Sequence, residues 1–342
     1  MTNHSVVSLR QKPDRSRGRA VCLGVAFLIA LSGCTRVKVK LGLKVDLDKT
    51  PVDSIEAKLP KGPGIAPGEK SPLVAVFTGP GGKVLTTEGE GHGKVPWKDL
   101  KVTASVVTVN EKGILTLPRD PRISDGKAAH VAITVPSHPG LHAELDIPVR
   151  YDRNYTADFS GGNGFDGSNG LDGRDGLSGS MGSMDPDHPV AGGDGSNGTN
   201  GDDGKDGESG GNAPPVQIRV ALRSGSHPLL QVSVTAAGHQ QFYLVDPQGG
   251  SLMVRADGGA GGSGGMGGRG GRGGSGGMGS PSGRNGLDGT SGLRGRDGWP
   301  GKGGSITVTY DPSAKPFLGA IRLSSLRGPR PVFTEEPVGP LW

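Results

Sequence analysis

Two cysteines, Cys22 and Cys34, carry the most reactive side chains in the sequence. A thiol can form a disulfide, ligate a metal, act as a nucleophile or carry a lipid. Cys22 lies inside an uninterrupted apolar run from Val21 to Leu31, which follows a segment with five basic residues and one acid. A basic segment before a short apolar run is typical of an export signal, and the run is shorter than the roughly 20 residues of a membrane-spanning helix.

The apolar run ends in Leu31-Ser32-Gly33-Cys34. This segment resembles the lipobox of bacterial lipoproteins, in which small residues fit the signal peptidase and the cysteine accepts diacylglycerol. The resemblance implies cleavage between Gly33 and Cys34, a covalent lipid on Cys34, and attachment to a membrane of the cell envelope. Thr35 follows instead of Asp, which in enteric-type bacteria favours the outer membrane over the inner one. An ordinary export signal with an incidental cysteine is the alternative.

Cleavage before Cys34 would change the charge of the chain. The removed segment holds five of the 38 lysines and arginines and one of the 33 acids, which leaves 33 bases and 32 acids. A net charge of +1 provides no excess of cations for phosphate neutralisation, so we expect no nucleic-acid partner. Cleavage also removes Cys22 and leaves Cys34 lipidated, which excludes disulfides, cysteine proteases and cysteine-ligated zinc.

The glycine-rich half of the chain carries carboxylates that could bind calcium. Residues 161–166 match the start of the calcium-binding nonapeptide of parallel β-helices. Ser168, however, stands where that motif requires an apolar residue, and glycine recurs every three residues instead of every nine. Asp166, Asp172 and Asp175 are therefore weak surface candidates for calcium, and we expect no other cofactor besides the lipid.

No group of residues predicts catalysis. Gly-X-Ser-X-Gly occurs around Ser209, Ser263 and Ser275, but a nucleophile elbow needs a strand, a sharp turn and a helix, and no helix is predicted there. The eight histidines lie in predicted loops or strand ends, without a His-Glu-X-X-His pattern. We therefore predict a protein that is not an enzyme, with a hydrolase as the weakest alternative.

Short strands are predicted throughout the first half of the chain. Apolar and polar residues alternate from Val37 to Asp48, which predicts a strand close to the anchor, followed by a linker up to residue 59. Residues 60–151 hold short apolar runs between Pro- and Gly-rich turns, typical of an antiparallel sandwich. Within them, VTVNEKGILTLP, which turns at Asn110–Gly113, and DGKAAHVAITV resemble bacterial immunoglobulin-like domains. The resemblance implies a sandwich without disulfides that acts as a spacer or binding module.

Residues 152–324 combine further predicted strands with four tracts in which glycine recurs every third residue, and a Pro-rich tail, 325–342, follows. A period of three belongs to the polyproline II type of helix, and glycine at that period leaves one face bare for another backbone. The predicted fold class is all-β: an immunoglobulin-like sandwich plus a second β module that carries four antiparallel helices of this type. The tracts are arm 1 (161–182), arm 2 (192–210), arm 3 (258–279) and arm 4 (283–304).

Three structures remain open for the arms: a collagen-like trimer, a disordered spacer and an intrachain bundle. The triplets resemble those of bacterial collagen-like proteins, but Pro300 is the only proline at a triplet position, and residues 280–282 break the phase. That break, and the turn from Ser183 to Ala191, predict two hairpins with antiparallel arms, 161–210 and 258–304. The bundle is our first hypothesis because arm 3 is Gly-Gly-X throughout, as an enclosed helix requires.

The charges of the two hairpins also favour a bundle. Residues 161–210 hold ten acids and two bases, net −8, whereas residues 258–304 hold six bases and two acids, net +4. We expect a lipid-anchored envelope protein with a structural, spacer or adhesive role through a rigid rod, about 65 Å long at the rise of this helix type. Its expected partners are the membrane and a cell-surface glycan or envelope protein. The alternative function is a carbohydrate- or calcium-binding surface module.

Overall fold

The computed structural model describes residues 43–223, 225 and 227–342. Strands predominate among them and the helices are short 3-10 helices, so the predicted all-β fold class is confirmed. Gly33 and Cys34 lie outside the described residues. The described chain divides into two compact units, the first with residues up to 119 and 123–149, the second with residues 120–122 and 150–342.

Nine strands of the first unit form three sheets of three strands, with the orders β1-β3-β4, β2-β7-β6 and β5-β8-β9, and their neighbours pair antiparallel. The strands are β1 Ser54–Lys58, β2 Lys70–Pro72, β3 Val74–Gly79, β4 Lys83–Thr86, β5 Lys101–Ser105, β6 Thr108–Val109, β7 Ile114–Thr116, β8 Ala129–Thr134 and β9 His142–Ile147. The 3-10 helices up to residue 123 are Leu47–Lys49, Pro80–Gly82, Gly89–Gly91, Trp97–Asp99 and Pro121–Ile123.

The core of the first unit takes inward-facing residues from all three sheets. Phe77 of β3, Leu115 of β7 and Ile133 of β8 are fully buried in one cluster. Such packing between sheets is compatible with an immunoglobulin-like arrangement. The predicted hairpin turn is present, because the Asn110 side chain accepts hydrogen bonds from the N–H groups of Lys112 and Ile114 while β6 pairs with β7.

The strand predicted close to the anchor is wrong over its described part. Residues 43–48 form a bend and the start of the helix Leu47–Lys49, and Asp46 caps this helix by accepting the N–H of Asp48. A carboxylate that bonds its own backbone in this way competes with the ladder of a strand. Leu47 is buried in the core of the unit. The rest of the predicted strand, residues 37–42, lies outside the described residues.

The second unit contains two sheets. One has the order β13-β12-β11-β15-β17, in which β11, β12 and β13 pair antiparallel and β15 and β17 join in parallel. The other has the parallel order β10-β14-β16. The strands are β10 Asn154–Asp158, β11 Val216–Arg223, β12 Leu229–Ala236, β13 His239–Val245, β14 Ser251–Arg255, β15 Ile306–Tyr310, β16 Ile321–Ser324 and β17 Val332–Glu335, with the 3-10 helix Pro312–Ala320.

These sheets share one hydrophobic cluster, which includes Ile218, Val232 and Leu252. The predicted Pro-rich tail belongs to the same module. It contributes β17, it buries Val338, and its Leu341 N–H donates to the Gln231 side chain. The parallel pairs also explain how the arms are placed, because β10 and β14 lead into arms 1 and 3 while β11 and β15 follow arms 2 and 4.

Candidate functional site: the glycine bundle

The four arms form an intrachain bundle held by backbone hydrogen bonds that recur every three residues. Arm 1 runs parallel to arm 3 and donates to it, from the bond of Gly164 N–H to Ala260 O through to the bond of Gly182 N–H to Met278 O, at 2.6–2.8 Å. Backbone N–H groups of arm 2 donate to arm 1, which runs antiparallel to arm 2, and to arm 4, which runs parallel to it. Arm 3 donates to arm 2 and arm 4 donates to arm 3, both antiparallel. Arms 2 and 3 therefore each bond three arms and form the centre.

Consecutive arms run antiparallel, as predicted. Residues 183–191 turn arm 1 into arm 2, and residues 280–282 turn arm 3 into arm 4, while strands of the β module lie between arms 2 and 3. The prediction of four antiparallel arms is incomplete, because the neighbours that are not consecutive, arms 1 and 3 and arms 2 and 4, run parallel. This follows from the β module, where the strands that lead into arms 1 and 3 are themselves a parallel pair. We call the end of the bundle at these strands the base, and the end at the two turns the far end.

Glycine is required where a neighbouring backbone fills the place of a side chain. A Cβ atom on Gly268 would overlap the carbonyl oxygen of Leu171 in arm 1, and one on Gly267 would overlap Gly292 of arm 4. The same clash repeats along both glycine rows of arm 3, which explains its Gly-Gly-X sequence. Arm 2 is equally central but has one such row, in which Gly201 lies against arm 3.

Asn and Asp side chains bond further N–H groups of the bundle, a role that the sequence analysis missed. In arm 1, Oδ1 of five residues accepts a backbone N–H of arm 3 at 2.6–2.9 Å: Asn163, Asp166, Asn169, Asp172 and Asp175. Six residues of arm 2 and the segment after it do the same for arm 4: Asp194, Asn197, Asn200, Asp203, Asp206 and Asn212. These residues recur at one triplet position, and that recurrence is the signal that could have revealed them.

A buried carboxylate joins arm 3 to the β module. Asp257 precedes arm 3, and its side chain accepts hydrogen bonds from the Leu326 N–H, the Ser324 hydroxyl and the Arg255 guanidinium. Burial raises the pKa of Asp257, but these three donors outweigh burial and hold the pKa below its ordinary value. Arg327 extends the joint by donating to the carbonyl oxygen of Gly258. The base of the bundle is thus fixed by charge-assisted bonds.

Large apolar side chains project from the bundle instead of filling it. Along arms 1 and 4, six of them are 72–80% exposed: Phe165, Leu171, Leu177, Leu287, Leu293 and Trp299. Met181, Met184, Val190 and Met278 are exposed near the far end. Scattered exposed apolar residues are ordinary on a protein surface, but these six recur at regular intervals along the bundle.

The structure places the calcium candidates in the bundle but does not bring them together as a metal site. Asp166, Asp172 and Asp175 each use one carboxylate oxygen to bind an N–H of arm 3. Within the described part of the chain, no three His, Cys, Asp or Glu side chains are grouped so that they could hold a metal ion. Among the same residues, no helix has the length and apolar character needed to cross a membrane.

Comparison with known proteins finds no family. No family model matches the chain, and no curated protein is similar to it.

Proposed function

We propose that this protein is a lipid-anchored protein of the bacterial cell envelope, more specifically of the outer membrane, held by lipid on Cys34. In this proposal the glycine bundle is a rigid rod with a structural, spacer or adhesive role. The observation that supports the rod is the bonding of the bundle, in which backbone N–H groups of every arm are paired with another arm at three-residue intervals. A bundle bonded along its whole length resists bending, whereas a single glycine-rich chain is flexible.

The positions of the polar and apolar side chains on the bundle favour a binding surface over a catalytic site. Many Asp and Asn side chains of the arms bond backbone N–H groups, and rows of exposed positions along arms 1 and 4 carry apolar, hydroxyl and arginine side chains. A rod that presents such side chains at regular intervals offers contacts to a partner such as an envelope protein or a surface glycan.

The anchor is tested by metabolic labelling with an alkyne analogue of palmitate in a bacterial host that processes lipoproteins. We expect label on the wild-type protein and its recovery in the membrane fraction. Cys34→Ser should lose both, whereas the matched control Cys22→Ser, which changes the other cysteine, should keep both. Equal labelling of Cys34→Ser and wild type would contradict the anchor.

The spacer role is tested by shortening the rod in register. Deletion of residues 168–173, 200–205, 265–270 and 290–295 removes two triplets at the same height from each arm, so every remaining backbone bond keeps its partner. A dye on Asp187→Cys, in the turn at the far end, reports the distance to a membrane dye by energy transfer. We expect the far end of the shortened protein to approach the membrane by up to about 19 Å, from six residues at the helix rise. An unchanged distance would contradict the spacer.

One observation favours the alternative of a carbohydrate-binding module. Phe165 and Trp299 are exposed near the base, close to the polar residues Glu208 and Ser209. Aromatic faces beside hydrogen-bonding groups can stack on sugar rings. Binding on a glycan array that is lost in Trp299→Ala and kept in Leu287→Ala would support this alternative.

A further inference from the structure

Two rows of exposed side chains on the bundle share one pattern. Row 1 consists of the residue after glycine in successive triplets of arm 1, and row 4 consists of the same position in arm 4. From the base to the far end, row 1 reads Phe165, Ser168, Leu171, Arg174, Leu177, Ser180. In the same direction, row 4 reads Trp299, Arg296, Leu293, Thr290, Leu287, Arg284. Each row therefore alternates a large apolar residue with a hydroxyl residue or an arginine.

Arm 3 sets the two rows at the same height. Gly268 of arm 3 lies against the carbonyl oxygen of Leu171 and accepts a hydrogen bond from Gly292, the residue before Leu293. The same relation repeats at Gly262 and Gly274. The apolar residues of the two rows are therefore level with each other at three heights along the bundle, and successive heights are about 19 Å apart at the helix rise. The level pairs are Phe165 with Trp299, Leu171 with Leu293, and Leu177 with Leu287.

The heights between the apolar pairs carry a second match. At these heights, Gly265, Gly271 and Gly277 of arm 3 each lie against a carbonyl oxygen of row 1 and accept a hydrogen bond from the glycine that precedes a residue of row 4. At each of these heights one row has an arginine and the other a serine or threonine. The pairs are Ser168 with Arg296, Arg174 with Thr290, and Ser180 with Arg284.

We propose that row 1 of one copy packs against row 4 of a second copy that stands parallel to it at the same height, so that the rods associate side by side. In this arrangement each large apolar side chain meets another one, and each arginine meets a hydroxyl group. Burying six apolar side chains that are otherwise exposed provides the driving force. Lipid on Cys34 would hold neighbouring copies parallel, but the match of the rows does not depend on it.

Charge selects this pairing over the contact of like rows. Row 1 belongs to the hairpin of net charge −8 and row 4 to the hairpin of net charge +4, so unlike rows attract. If row 1 packed against row 1 of a parallel copy, two acidic hairpins would face each other and Arg174 would meet Arg174 of the other copy. If row 4 packed against row 4, two basic hairpins would face each other and Arg296 would meet Arg296 of the other copy. Because the two rows are different surfaces, the contact is heterologous and can extend from copy to copy.

Disulfide trapping tests which rows meet. The purified protein carries Cys22→Ser and Cys34→Ser, so that an introduced cysteine is its only thiol, and the variants Leu171→Cys and Leu293→Cys are mixed under mild oxidation. We expect the mixed disulfide dimer to exceed twice the amount of each self-linked dimer, which is the proportion that random coupling of equal amounts gives. Self-linked Leu171→Cys as the main product would mean that like rows meet and would overturn the proposal. A mixed product no greater than that of Met266→Cys with Leu293→Cys would also overturn it.

Sedimentation velocity tests the association itself. For the protein with native rows, we expect the average sedimentation coefficient to rise with protein concentration. Leu171→Lys and Leu293→Lys should each weaken this association at least tenfold, while Met266→Lys, at a comparably exposed apolar position of arm 3, should not. A monomer at every concentration, or association that the two lysine variants leave unchanged, would overturn the proposal and would leave the lipid anchor untouched.

Discussion

The β module of the second unit buries its side chains, whereas the glycine bundle that continues from the same strands exposes them. Ile218, Val232 and Leu252 are fully enclosed in the module, while Leu171 and Leu293 of the bundle are more than 70% exposed. In the bundle, backbone fills the interior, and side chains of Asn and Asp bond many of the N–H groups that remain. The module should therefore be sensitive to the loss of side-chain atoms, and the bundle to their addition and to changes of register.

The largest effect is expected from shortening one arm alone. Deleting residues 168–173 removes two triplets from arm 1, so the bonds of arm 1 with arms 2 and 3 cannot all be kept between the fixed base and the turn. We expect the arm amides to lose their protection from hydrogen exchange while the strands of the β module stay protected. The matched deletion from all four arms should retain protection. Full protection after the single deletion would show that the arms do not depend on each other's register.

The next largest effect is expected from truncating a large apolar side chain, which should destabilise the β module and leave the stability of the bundle nearly unchanged. Leu252 is enclosed in the core of the β module, so Leu252→Ala should lower the free energy of unfolding by about 3 kcal/mol. Leu171→Ala removes the same atoms from an exposed place in the bundle and should change it by less than about 0.5 kcal/mol. Chemical denaturation at low protein concentration measures both. Equal losses would mean that the bundle also depends on side-chain packing.

Adding one methyl group at an enclosed glycine should destabilise the bundle, although removing a large side chain from its surface does not. In Gly268→Ala the new Cβ would overlap the backbone of arm 1, and moving a bonded arm should lower the free energy of unfolding by about 2 kcal/mol. Gly162→Ala is the matched control, because no atom lies within 4 Å of its Cβ position. Thermal unfolding should show a lower midpoint for Gly268→Ala and little change for the control. A stable Gly268→Ala would mean that the arms can separate at no cost.

The sequence predicts the bundle better than it predicts the role of individual side chains. The phase break at residues 280–282 and the Gly-Gly-X pattern of arm 3 are local signals, and they are sufficient to predict hairpins and an enclosed helix. The parallel pairing of arms 1 and 3 depends on the pairing of β10 with β14, which joins residues about 100 positions apart and leaves no local signal.

The bonds from Asp side chains to the backbone leave no local signal for a similar reason. The sequence presents Asp172 and Asp175 as carboxylates on a surface, and their backbone partners, Arg269 and Arg272, become visible once arm 3 is placed beside arm 1. Near the anchor, alternation predicted a strand, but the local bond from Asp48 N–H to Asp46 competes with it. The lipid anchor at Cys34 is still a prediction, since it lies outside the described residues.

The joint between the two regions should respond to pH. Because hydrogen bonds hold the pKa of Asp257 below that of the unfolded chain, its stabilising effect is present above about pH 4 and is lost as the pH falls through the folded-state pKa. Asp257→Asn should lower the free energy of unfolding by about 2 kcal/mol at pH 7. The difference between wild type and variant should shrink at pH 3, and other carboxylates cancel because both proteins contain them. A difference that grows towards low pH would contradict this account.

The smallest effect is expected at a single rung of the Asn and Asp rows, and it distinguishes a backbone ligand from a calcium ligand. Asp172→Ala removes the acceptor of the Arg269 N–H at an exposed site, where water can replace it, so the loss should be at most about 1 kcal/mol. Asp172→Asn keeps an oxygen in the same place, as Asn169 does natively, and should cost less than the alanine variant. For calcium the order differs, because losing the charge in Asp172→Asn would already weaken binding. Unfolding measured with and without calcium therefore decides whether this carboxylate serves the backbone alone.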